Sequence, residues 1–376
     1  MITLISLSTD RNITGGYRYN ENIASELTHL CSVRYQTVSA DKTAVQQLVG
    51  TIPGRCSHVM VDSIFFAYPD LLRELISGLS GKTCTLLVHW LPWLEEKLIE
   101  DDFREAGLPH LPPRKIGGDS LELLPLFDAF VATSCFSAGK LIERGIMEEK
   151  ICTAVPGVEG SHKRIKKRFN HGKKRNDGRL QFVTAAHWTP VKGLHRLLPM
   201  LETVYRKLTC FNGPSTEQQR VSGRPSSGRV FLWHSIGSRK KETAYGKYLS
   251  GVTASGEITF PYCLHGALTP ERSWELIASC DCMLVPSIFE TYGMAAAESV
   301  ALGIPVVGFD AGGLSETVRD GSEGFLCSSK EDYIRVLERL LENPGLLAGM
   351  KQTCYKKPVK EWKETAKTIY DFLAKL

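Results

Sequence analysis

Short apolar runs recur along the chain, each followed by a longer stretch in which apolar side chains return every three or four positions. Residues 2–7 predict a first strand, followed by a loop carrying Gly15 and Gly16. Residues 19–30 predict a helix with Ile23, Leu27 and Leu30 on one face. Residues 33–38 and 58–61 read as strands, 70–79 as a helix, and 83–89 as a strand that runs into the cluster His89-Trp90-Leu91-Pro92-Trp93. A strand over 129–133, a helix over 138–144 closed by Gly145, and a strand over 151–155 stopped by Pro156-Gly157 complete this series.

The pattern then breaks. Residues 158–179 are polar and crowded with Lys and Arg, which predicts a basic interdomain connection. The alternation resumes with strands over 180–185, 230–234, 257–261, 282–285 and 305–309, and helices over 193–207, 270–279 and 294–302. A Gly-, Pro- and Ser-rich stretch over 211–228 reads as a loop, and helical patterns cover 332–341 and 361–375. The expected fold class is α/β, with two doubly wound Rossmann-like domains facing each other across a cleft. The expected boundaries are 1–157 for the first domain and 180–357 for the second. In such folds ligands sit at the carboxyl ends of the strands, here between the domains.

Composition narrows the class. A chain of 376 residues exceeds what one core usually serves, and 43% hydrophobic with 23% charged residues is ordinary for a globular protein. The formal charge of +5 is too mild to argue for nucleic acid, and no recognition motif accompanies the basic stretch. The eleven cysteines lie mainly in apolar or helical runs, and Cys280 and Cys282 have neither zinc nor redox spacing. Free thiols in a reducing compartment are therefore expected, and with them a cytoplasmic location. No run reaches the roughly 18 apolar residues of a spanning helix, and the N-terminus reads as a strand rather than a leader.

The chemistry concentrates in Pro286-Ser287-Ile288-Phe289-Glu290-Thr291-Tyr292-Gly293-Met294, followed by Glu298. A strand, a loop and a helix start fall here in succession. The backbone N–H groups of Thr291, Tyr292, Gly293 and Met294 are expected to face the cleft, where a helix N-terminus attracts phosphate. Glu298 stands roughly 6 Å further along the helix, within reach of a ribose, while Glu290 meets the sugar.

The Glu290/Glu298 pair resembles the signature of retaining glycosyltransferases of GT-B fold, especially family 4. The runs from Ala301 to Gly308 and from Gly312 to Glu316, with His265-Gly266 and residues 281–287, are similar to that family's neighbouring blocks. Gly15-Gly16 resembles its first glycine loop, and Thr189-Pro190-Val191-Lys192-Gly193 its lysine motif. The resemblance implies that Glu290 contacts the donor sugar, Glu298 the ribose, Lys192 the diphosphate, and His89 the reacting sugar. It further implies a last helix, 358–376, that crosses back to the first domain.

Position 187 departs from the pattern. The family usually places an arginine there, and this chain has His187, a weaker cation; either the phosphate site is less charged or another base, such as Arg239 or Lys240, compensates. Trp90 and Trp93 are candidates for stacking on an acceptor ring or for packing. The resemblance implies transfer from a nucleotide-sugar donor (UDP-, GDP- or ADP-linked) to a hydroxyl acceptor of unidentified kind, by front-face displacement. No metal and no cofactor are expected, since Lys192 and the helix dipole face the phosphates and no Asp-x-Asp motif occurs. For the basic connection, a solvated linker and peripheral contact with an anionic membrane are the main readings. Competing readings of the whole are a phosphorylase or epimerase on the same architecture and a sugar-nucleotide-binding scaffold.

Overall fold

The computed structural model describes residues 1–8, 15–111, 120–170, 179–210 and 231–376. The expected loop over 211–228, and residues 171–178 of the basic connection, lie outside the described residues.

The first half alternates β1 (Ile2–Leu7), α1 (Gly15–Leu27), β2 (Val33–Val38), α2 (Lys42–Thr51), β3 (His58–Asp62), α3 (Pro69–Ser77), β4 (Thr83–Val88), α4 (Pro92–Glu105), β5 (Ala129–Ala132), α5 (Cys135–Ile142) and β6 (Ile151–Thr153). Its strands form one six-stranded parallel sheet in the order β2-β1-β3-β4-β5-β6. Every residue of β1 is buried, as a central parallel strand covered on both faces must be. Next comes α6 (Ser161–Asn170).

The second half runs β7 (Leu180–Ala185), α7 (Leu194–Cys210), β8 (Phe231–Ile236), α8 (Ala244–Ala254), β9 (Tyr262–Gly266), α9 (Pro270–Ser279), β10 (Cys282–Val285), α10 (Met294–Ala301), β11 (Val306–Phe309), α11 (Leu314–Thr317), β12 (Gly324–Cys327), α12 (Lys330–Glu342) and α13 (Gly345–Lys356). Its sheet is again six-stranded and parallel, in the order β12-β11-β10-β7-β8-β9. The final helix, α14 (Trp362–Leu373), packs against α1, with Trp362 edge-on to Tyr19 at 5.4 Å. A capping box between Glu361 and Glu364 starts it.

Four readings need correction. The first helix spans 15–27 rather than 19–30, so Leu30 lies beyond its end and is exposed. The strand expected over 257–261 falls instead at Tyr262–Gly266, because Pro261 interrupts the run and pairing with β8 begins only after it. The basic stretch is not simply a linker: α6 docks on the second domain through His162, Ile165 and Lys166, which share one helix face. His162 lies 4.1 Å from Trp274 ring to ring, and the Lys166 ammonium donates to the Cys354 carbonyl at 3.4 Å and covers the Tyr355 ring. The helices α2, α4, α8, α11 and α13 and the strand β12 were not foreseen.

The domains meet through a wedge. The α4 side chains Ile99 and Phe103 belong to the hydrophobic core of the second domain. Between them in sequence, Asp102 receives His195 Nε2 at 2.5 Å and faces Arg196 Nε at 3.0 Å. The other ring nitrogen of His195 meets the Tyr245 hydroxyl at 2.8 Å. Burial pushes the Asp102 carboxyl up, but the His195 hydrogen bond and the Arg196 charge outweigh it and hold the carboxyl below its ordinary range. Lys330 adds a rim contact to Glu105, and the amides of Cys135 and Phe136 donate to the Glu316 carboxylate across the gap.

Removing the carboxylate strands the buried His195 donor and takes the counter-charge from Arg196. Asp102→Ala is expected to lower unfolding stability by about 3 kcal/mol, read from urea midpoints at pH 7; a change within 0.5 kcal/mol (the size of an inert surface substitution) would deny the wedge its role.

Candidate active site

The carboxyl ends of both sheets open on one cavity of about 710 Å³, within the size range of small-molecule sites. Of the candidate residues, Gly15, Gly16 and His89 from the first domain, and His187, Lys192, Glu290, Thr291, Tyr292, Gly293, Met294 and Glu298 from the second, line it.

The floor is the start of α10. Gly293 has φ +88°, a left-handed conformation that side-chain-bearing residues rarely adopt, and it turns the chain from the loop into the helix. No side chain caps this helix, and Met294, Ala295 and Ala296 line the cavity with the N-terminal turn. The uncapped turn offers N–H donors and the positive end of the dipole to an anion. Gly15 faces it closely: a Cβ at Gly15 would stand 3.2 Å from the Met294 sulfur. A Cβ at Gly16 would stand 3.4 Å from the His89 ring.

His89 is held by a chain of bonds. Ser6 and Asn20 both donate to Asp62 Oδ2, at 2.8 and 2.6 Å. This fixes the Asn20 amide so that its oxygen faces His89 Nε2 at 2.8 Å. A proton therefore sits on Nε2, and burial lowers the pKa of the ring, which favours its neutral form, against the pull of Asp62. The His89 carbonyl accepts the Thr291 hydroxyl across the cleft at 3.2 Å.

The three charged candidates already have protein partners. Lys192 and Ser287 both donate to Glu290 Oε1, at 2.7 and 2.6 Å, and no protein donor meets Oε2 among the described residues. Glu298 accepts the Trp274 indole at 3.1 Å on one oxygen and Arg18 at 2.5 Å on the other. His187 Nδ1 accepts the Ser238 amide at 3.0 Å.

Arg18 was missed by the sequence reading. It comes from α1, ties Glu298 to Glu159, and lies over the Trp274 ring at 5.2 Å. Arg239 and Lys240, named as substitutes for the absent arginine, do not line the cavity; Arg18 does. No sequence pattern connects position 18 with position 298, because their meeting depends on how the two domains face each other. Trp90 lines the cavity and donates to Glu95 at 2.9 Å, whereas Trp93 packs on Phe66 in the first core.

Glu95, also missed, stands in the cleft wall. Burial raises its carboxyl to about 7; Lys192 and the Trp90 indole oppose the rise, and Glu290 adds to it. Among the described residues no helix is long and apolar enough to cross a membrane, and ten cysteines are unpaired.

Two parallel doubly wound domains with the cleft between them are the GT-B architecture of glycosyltransferases. Residues 257–357 match the family model described as Glycosyl transferases group 1, so the chain carries that family's region on that fold. The D-inositol 3-phosphate glycosyltransferase of Rhodococcus jostii (strain RHA1) is 36% identical over 83 residues, which are 22% of this chain and 18% of that protein. The Nocardia farcinica (strain IFM 10152) protein of the same name is 42% identical over a segment of the same length and the same shares. The match thus spans less than a fifth of those relatives. Over the whole fold, Anabaena HepE solved with UDP and glucose superposes with TM-score 0.69 at 14% identity, covering 100% of both chains. Sucrose-phosphate synthase of Thermosynechococcus elongatus gives 0.73 at 13%, covering 100% of this chain and 98% of its own.

A carboxyl whose pKa is raised on folding binds its proton more tightly in the native state. Stability therefore falls as pH rises from about 4.5 to about 7. Glu95→Gln is expected to flatten that fall, by about 2 kcal/mol across the window, since the open cleft screens part of the full value. Parallel urea-midpoint profiles for the two proteins give the reading; superimposable profiles would mean that Glu95 titrates normally.

Proposed function

We propose that this chain is a glycosyltransferase that takes a sugar from a nucleotide-sugar donor and places it, with retention of configuration, on a hydroxyl acceptor. The single observation that carries the reading is the uncapped start of α10 in the same cavity that Lys192, Glu290 and Glu298 line. Phosphates at the helix end would lie between these groups, the sugar toward Glu290 and His89, the ribose toward Glu298. The region matched by the family model and the fold shared with glycosyltransferases support the same reading. HepE, solved with UDP and glucose, makes UDP-glucose the first donor to try.

Each role follows from the geometry. Lys192, once a diphosphate enters, can exchange Glu290 Oε1 for phosphate oxygen, a stronger partner for a compact ammonium. Glu290 is then released toward the sugar hydroxyls. In front-face displacement the leaving diphosphate oxygen takes the acceptor proton as the C–O bond to the donor breaks and the new glycosidic bond forms on the same face. The protein supplies position and electrostatics. His89, oriented through Asn20 and Asp62, can accept a hydrogen bond from a sugar hydroxyl at Nδ1 without adding charge. Lys192 and the helix dipole face the departing charge, and no divalent ion is required in this reading. The acceptor enters past Trp90 and Glu95. Contact of the basic segment with an anionic membrane is a secondary part of the proposal, checked by vesicle sedimentation.

Calorimetric titration with UDP, GDP and ADP is expected to show binding of at least one. Glu298→Ala is expected to weaken that nucleotide by about 10-fold or more. Glu290→Ala is expected to lower donor hydrolysis by about 100-fold while changing nucleotide affinity little. Equal losses of binding and turnover in the Glu290 variant would contradict its sugar-side role. Absence of turnover with any of the UDP-, GDP- or ADP-sugars would favour a scaffold.

A further inference from the structure

A second cluster of ligand-type side chains lies on the edge of the second sheet. In the parallel pairing of β7, β8 and β9, Val183 stands beside His234 and His234 beside Cys263, so the three point to one face. The neighbours Trp233 and Tyr262 point to the opposite face, into the aromatic core with Phe231 and Phe260. Cys263 and His234 are thus excluded from that core by strand alternation.

The register then slips. Ser235 pairs with Leu264 and Ile236 with Gly266, leaving His265 as an extra residue opposite nothing. Such a bulge re-aims a side chain. Here it brings His265 Nε2 to 2.9 Å from His234 Nδ1. The ligand atoms of His234, Cys263 and His265 all lie within 4.8 Å of one another. On the far side of His234, Gln181 Oε1 meets Nε2 at 2.8 Å. With the amide oxygen there, the His234 proton sits on Nε2 and the lone pair of Nδ1 points at the other two side chains. A metal-binding histidine is commonly held this way, by an acceptor on its second nitrogen.

We propose that His234, Cys263 and His265 bind one zinc-class divalent cation, oriented by Gln181, with the remaining coordination position open to water. Two imidazoles and a thiolate suit zinc, cobalt or copper and do not suit magnesium or calcium. His265 is exposed, so an ion has an entry path. Metal–nitrogen bonds of about 2.0 Å and a metal–sulfur bond of about 2.3 Å place tetrahedral ligands roughly 3.3–3.6 Å apart. The imidazoles would part slightly and the thiol would approach. On binding, the Cys263 thiol gives up its proton to water, and His265 moves its own from Nε2 to Nδ1. The site is not in the cleft, and it does not depend on the proposed transferase activity. It does brace the cleft rim: the Gly237 amide donates to the Gly266 carbonyl at 2.8 Å, and Gly237, Ala267 and Leu268 line the cavity.

The test uses the full chain stripped with a chelator and titrated with cobalt(II) alone. One equivalent is expected to bind with a near-ultraviolet thiolate-to-cobalt band. Cys263→Ser is expected to abolish the band, His265→Ala to weaken cobalt at least about 10-fold, and Gln181→Leu by about 10-fold. His265 is exposed on an edge strand, so its variant keeps the test valid if Cys263→Ser folds poorly. No band in the parent protein overturns the site. So does a band that survives Cys263→Ser, because another thiol such as the exposed Cys135 would then be its source, and so does a cobalt affinity unchanged by His265→Ala.

Discussion

The insertion of α4 from the first domain into the core of the second is the constraint on which the rest depends. An interface between two doubly wound domains is by default polar and mobile. Here Ile99 and Phe103 are buried as core residues of the other domain, and Asp102 is bonded to His195 and set against Arg196. The apolar pair supplies area; the buried carboxylate supplies register, because only one approach of the helix satisfies His195. With α4 fixed, the strand ends of both sheets face the same space. Gly15 then comes against Met294, and the His89 carbonyl meets Thr291. Arg18 reaches Glu298 for the same reason.

The cavity that results is electrostatically self-satisfied. Lys192 neutralises Glu290, and Arg18 neutralises Glu298. Among the described residues lining the cavity few cations stand without a carboxylate, so in the proposed function a dianionic ligand binds by exchange, replacing carboxylates on Lys192 and Arg18. Such exchange is nearly neutral in Coulomb terms but gains where phosphate gives the cation more acceptors than a carboxylate does. It also couples the domains: Arg18 belongs to the first and Glu298 to the second, so whatever competes for either loosens or remakes a bridge across the cleft.

Much of this was legible in the sequence. The alternation of apolar strands with helical periodicity gave two parallel sheets, and the strand–loop–helix around Glu290 fell where the structure has β10, the loop and α10. What escaped had local causes. The helix α4 begins at the Pro92 of an aromatic cluster and mixes core and charged positions, because its buried face is divided between two domains. The helix α6 was hidden by its own charge: one face of His162, Ile165 and Lys166 docks while the bulk composition reads as linker. Arg18 and Glu95 carry no motif, and much of their significance arises from residues of the other domain that they face.

Position 187 shows how far such a reading carries. An arginine there would put a fixed charge at the second domain's side of the cleft. His187 instead spends Nδ1 on the Ser238 amide and serves as a support for the turn after β8. The guanidinium on the cavity wall comes from α1. A charge on the second domain acts whether the cleft is open or closed, whereas Arg18 acts on Glu298 only when the domains are together. Moving the cation from one domain to the other therefore changes more than affinity. It makes the electrostatics around Glu298 conditional on the two domains being together, and that in turn rests on the α4 wedge.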